Sequence, residues 1–115
     1  MVKVVTGFGR SGLHDWFMQR LSAVVLAVFT LYIAYFLLST PNLTRDAWTV
    51  LFHNNFFRVV ATMAMFATVV HAWIGLWTVA TDYIKPTSIR LVFQSFVILF
   101  ILGNLIWGVQ ILWGF

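Results

Sequence analysis

Three long stretches of this chain carry no formal charge, and they restrict what it can fold into more than any other feature. Leu21–Leu38 runs for 18 residues, Val59–Ala80 for 22 with only His71 interrupting it, and Leu91–Phe115 for 25. A helix rising about 1.5 Å per residue needs roughly 20 apolar residues to cross the hydrocarbon of a bilayer. Within lipid every backbone polar group must be paired inside the protein, so a crossing segment is a helix or a strand of a closed barrel. Barrel strands need only about 10 residues, and these runs are far longer. The sequence therefore predicts an all-α fold: a single membrane-anchor domain over residues 1–115, with three transmembrane helices at approximately 21–38, 59–80 and 91–113.

The charges that remain fit that reading. They are Lys3, Arg10, Asp15, Arg20, Arg45, Asp46, Arg58, Asp82, Lys85 and Arg90, or 9% of the chain. A soluble domain carries about 25%, so lipid must be much of the solvent here. A net charge of +4 in a soluble protein suggests nucleic acid. Here the cations flank apolar runs, as they do where positive charge orients a membrane protein, and no nucleic-acid partner is expected. Lys3, Arg10, Arg20, Lys85 and Arg90 fall on one side of the predicted bundle, with Arg45 and Arg58 on the other. The N-terminus is expected in the cytoplasm and the C-terminus across the membrane. The first run exceeds a signal-peptide core and ends in Ser39-Thr40-Pro41 without a small-x-small cleavage pattern, so it reads as a retained span. The absence of cysteine excludes disulfides, iron–sulfur ligation by this chain and a covalently attached c-type haem.

The connections also carry signals. Thr44 reads as a helix cap. Beyond it, Trp48, Leu51 and Phe52 share the face of a short interfacial helix anchored by Trp48. Pro86 stops the second span, and Thr87 or Ser88 is expected to cap the third. Gly7-Phe8-Gly9-Arg10-Ser11-Gly12 matches the glycine pattern of dinucleotide sites, but no strand precedes it and Tyr32 stands where the ribose acid belongs. It reads as a glycine-rich arm. Asn42-Leu43-Thr44 forms a glycosylation sequon to which no weight is given.

His71 falls about 18 Å into the second span, near the bilayer midplane and beyond the reach of snorkelling. One reading is a neutral imidazole hydrogen-bonded to a hydroxyl or carbonyl of a neighbouring helix. The others are a proton relay or a metal ligand. A relay asks for further ionisable groups at that depth, and the charge-free runs supply none. A haem asks for only one imidazole from this chain. Gly75, one turn on, offers room for a macrocycle, with Trp73 and Trp77 as apolar walls; ordinary packing explains all three equally. If both axial ligands are imidazoles, His14 and His53 lie at the wrong depth, so a partner subunit must provide the second.

Asp82-Tyr83 ends the second span. The plain reading is an aromatic-belt tyrosine and an acid compensated by Lys85 or Arg90. The functional reading is a quinone site, with a phenol donating to a quinone carbonyl beside a proton-handling acid. His14, Asp15 and Arg20 at the start of the first span read as orienting charge, or as partners for haem propionates. No residue reads as catalytic in its own right.

Two blocks carry a family resemblance. Gly9-Arg10-Ser11-Gly12-Leu13-His14-Asp15 with Arg20, and His71-Ala72-Trp73-Ile74-Gly75-Leu76-Trp77 followed by Thr81-Asp82-Tyr83-Ile84-Lys85-Pro86, resemble the succinate dehydrogenase hydrophobic membrane anchor subunit, the D chain of bacterial complex II, cytochrome b556 type. The resemblance covers nearly the whole chain. It implies a non-catalytic-core subunit of a succinate:ubiquinone oxidoreductase of the respiratory chain and tricarboxylic acid cycle. The implied partners are a flavoprotein subunit, an iron–sulfur subunit and a second membrane anchor, the cytochrome b556 subunit, in the bacterial inner membrane. It implies haem b shared with that sister anchor, with His71 as an axial ligand to the iron. Arg20 and His14 would lie in the propionate region, and Tyr83 and Asp82 at ubiquinone. A structural anchor or assembly protein without redox function, and the anchor of a related fumarate reductase, are the alternatives.

Overall fold

A computed structural model describes residues 12–114. The glycine pattern from Gly7 to Ser11, and the cations Lys3 and Arg10, lie outside the described residues. The chain forms α1 (Gly12–Ser39), α2 (Arg45–His53), α3 (Asn55–Tyr83) and α4 (Thr87–Trp113). Three of these helices, α1, α3 and α4, are long and apolar enough to cross a membrane.

These helices outrun the charge-free stretches. They contain 28, 29 and 27 residues, or about 40–44 Å at 1.5 Å per residue. That is the thickness of a bilayer with its headgroups, roughly 40–45 Å. Charged residues are excluded from the hydrocarbon but not from the headgroup layer, so α1 starts at Gly12 rather than near Leu21. His14, Asp15 and Arg20 are consequently helical.

The central helix is α3, against which α1, α2 and α4 all pack. Lipid tails are as apolar as leucine, so close approach of backbones rather than hydrophobicity holds such helices together. Accordingly Ala61, Ala64, Ala67 and Ala80 are the small residues that α3 buries. On α4 the equivalent is Gly108, where an added Cβ collides with the terminal methyl of Met65. Nothing lies within 4 Å of the corresponding position at Gly103. Gly108→Leu is therefore expected to destabilise the α3–α4 pair by about 1–3 kcal/mol. Gly108→Ala should cost less, because the thioether end of Met65 can swing aside, and Gly103→Leu should be neutral. Thermal unfolding of the purified protein in detergent checks the order.

The end of the bundle remote from the α1 start is locked by aromatic and polar contacts. Thr44 caps α2 by accepting from the Ala47 amide at 3.2 Å, as the sequence predicts. Trp48 is half-buried, with ring centroids 5.1 Å from Phe36 and 6.2 Å from Phe52, so it fastens α2 to α1 as well as standing at the interface. Arg58 donates from Nε to the Phe52 carbonyl at 2.8 Å and lies over the Trp113 ring, whose Nε1 donates to Thr62 at 2.9 Å.

The cap expected at Thr87 or Ser88 is not formed. Pro86 takes the cap position with φ −64° and ψ 125°, and no side chain caps the helix. Proline lacks an N–H and is pre-set in φ, so it occupies the turn and leaves Thr87 as the first helical residue.

Candidate functional site

His71 lies near the middle of α3 and faces α1. Its Nδ1 is 3.1 Å from the hydroxyl oxygen of Ser22, which is only 4% exposed. The same hydroxyl lies 3.0 Å from the Gln19 carbonyl. A serine has one hydroxyl proton, and a carbonyl can only accept. With that proton on the Gln19 carbonyl, Ser22 Oγ is placed to accept from an Nδ1–H of His71. The neutral imidazole then keeps its lone pair on Nε2, which has no hydrogen-bond partner among the described residues. A hydroxyl on a neighbouring helix was one of the partners the sequence allowed. The structure supplies it and leaves the second nitrogen free to act as a ligand or acceptor.

Ser22 ends a polar stripe on α1. Asp15, Gln19 and Ser22 fall at i, i+4 and i+7, one face of a helix. Asp15 is 5% exposed in the first turn of α1, where the helix dipole favours an anion. Gln19 buries its Oε1 without a hydrogen-bond partner. Its Nε2 lies 3.4 Å from where a Cβ on Gly75 would stand. Gly75 therefore turns toward α1, with the Gln19 side chain beside it. Trp73 and Trp77 lie against each other with centroids 4.7 Å apart. A groove of about 350 Å³ runs beside Trp73, lined also by His14, Asp15 and Met18 of α1 and by Val69 and Ile74 of α3.

The other expected site residues are placed separately. Arg20 is exposed, about 160° around α1 from Ser22, with its guanidinium 5.6 Å from the centre of the Trp16 ring. The chain alone does not bring Arg20 to His71, whereas His14 lines the groove next to α3. Asp82 and Tyr83 end α3, both exposed, Tyr83 at 79%. Neither Lys85 nor Arg90 pairs with Asp82 among the described residues; Arg90 Nη1 donates instead to the Ile84 carbonyl at 3.5 Å. The two groups are thus presented outward, with no partner inside this chain among the described residues. Sequence reasoning missed Ser22, Gln19 and the burial of Asp15. Their i, i+4, i+7 spacing was the available signal.

Comparison with known proteins gives the family of the chain. The family described as succinate dehydrogenase/fumarate reductase transmembrane subunit matches residues 5–110. The succinate dehydrogenase hydrophobic membrane anchor subunit of Coxiella burnetii is 34% identical over 104 residues, covering 90% of each chain. The subunit of the same name from Rickettsia bellii is 30% identical over 87 residues, covering 74% of this chain and 68% of its own. With its three apolar spanning helices, the chain belongs to the succinate dehydrogenase/fumarate reductase transmembrane subunit family, as a multi-pass membrane anchor.

Proposed function

We propose that this chain is the D-type anchor of a succinate:ubiquinone oxidoreductase, holding one face of a haem b and part of the ubiquinone-reduction site. The observation that carries the reading is the His71–Ser22 pair: a mid-helix imidazole fixed through Nδ1, with Nε2 left to coordinate. No group of three or more His, Cys, Asp or Glu gathers among the described residues, so a bare metal ion lacks ligands here. A haem would ask this chain for one imidazole only, which His71 would give. Haem b, when bound, supplies a one-electron carrier inside the membrane. A sister anchor supplies the second axial imidazole and the rest of the enclosure. Arg20 and His14 serve the propionates, Arg20 from its exposed side facing that partner. Tyr83 and Asp82 serve the quinone, whose apolar ring enters from lipid and whose carbonyls accept hydrogen bonds.

The start of α1 and the α3–α4 turn share one edge, bearing Arg20, Lys85 and Arg90. By the positive-inside rule that edge faces the cytoplasm of a bacterial inner membrane. There the flavoprotein and iron–sulfur subunits dock, pass electrons toward Tyr83 and find protons in water. The test is to purify the complex through a tag on this chain, identify the co-purifying proteins and record a reduced-minus-oxidised spectrum. The reading expects those two subunits, a second anchor and a low-spin, bis-imidazole haem. Purification without haem supports a purely structural anchor instead.

A further inference from the structure

We propose that Ser22 is a positioning residue that selects the His71 tautomer and lowers the reduction potential of the haem; this rests on the haem-ligand reading above. Three observations carry it. Ser22 Oγ is 3.1 Å from Nδ1. Its own proton is committed to the Gln19 carbonyl at 3.0 Å, so the oxygen is held as an acceptor. Ser22 is only 4% exposed, so its hydroxyl sits among protein atoms between the two helices. An Nδ1–H that donates a hydrogen bond makes the imidazole a stronger donor at Nε2 and fixes its ring plane. A stronger donor favours ferric over ferrous iron. The chain of contacts from Gln19 through Ser22 to His71 thus gives α1 control of a ligand carried by α3.

The experiment uses the purified holo-complex with Ser22→Ala, Ser22→Thr and Ser22→Val. Thr keeps the hydroxyl, and Val matches Thr in shape without it. Redox titration of the haem band should show Ala and Val shifted to higher potential. The reduced-to-oxidised ratio at a fixed potential should rise roughly tenfold, about 59 mV for one electron. The low-spin EPR signal should move with it, while Thr stays near the unsubstituted protein. Unchanged potential and EPR in haem-loaded Ala and Val variants overturn the proposal and leave Ser22 a packing contact. Should those variants fail to assemble, pulsed EPR of the remote imidazole nitrogen in the unmodified complex decides, since a free Nδ1–H signature overturns the proposal equally. His71→Leu separates this from the underlying reading. If it retains the bis-imidazole spectrum, the ligand assignment itself fails. If it loses that spectrum while Ser22 variants shift nothing, only the present inference fails.

Discussion

His71→Leu is expected to remove the bis-imidazole haem spectrum proposed for the purified complex. Loss of an outer-shell partner of a metal ligand typically costs 10–100-fold in affinity, and loss of the ligand itself should cost at least about 100-fold. The substitution is clean because of what it leaves behind. Ser22 continues to donate to the Gln19 carbonyl, so no buried donor is stranded when the imidazole goes. Leucine is apolar and of similar bulk, and burial of a neutral ring in lipid is exchanged for burial of an alkyl group. The α1–α3 pair should therefore persist, and the chain should still reach the membrane in normal amounts. Absorption and EPR spectra, normalised to protein, read the outcome. An undiminished bis-imidazole signal removes His71 from the iron and leaves it as a helix-packing hydrogen bond.

What could be read from the sequence follows the cost of each group in lipid. Charges are the most expensive, so their absence marked the three spans, and one ionisable ring marked His71. Helix ends were less visible. Charges are tolerated in the headgroup layer, so α1 starts nine residues before its charge-free run, at Gly12 rather than Leu21. The burial of Asp15 was missed for the same reason: it seemed to precede the span and is in fact buried in the first turn of α1. Facing was the least legible property. A helix apolar on all sides gives no moment from which to read orientation, so nothing in the sequence showed that Gly75 turns toward Gln19 of α1. Arg20 shows the converse. Helical spacing from Ser22 already turns it away from α3, and the structure leaves it exposed.

Tyr83→Phe is expected to lower ubiquinone reduction by a factor of about 5 to 100 while leaving the bundle intact. The stability half of that statement comes from exposure. Tyr83 is 79% exposed, and its hydroxyl has no partner among the described residues, so its removal breaks no contact within the chain. The activity half comes from the bond it is proposed to make. Leaving a hydrogen-bond acceptor unpaired costs about 1–3 kcal/mol, and every 1.4 kcal/mol is roughly a factor of ten. Electron transfer from succinate to a soluble acceptor that bypasses the membrane subunits should be unchanged, which confines the defect to the quinone end. Asp82→Asn completes the test, because the amide keeps the shape of the acid and abolishes proton transfer. If Asp82 handles protons, that variant lowers turnover with little change in quinone affinity, whereas Tyr83→Phe weakens affinity as well. Normal turnover and affinity in Tyr83→Phe would return this tyrosine to the aromatic belt and place the quinone against the partner subunits alone.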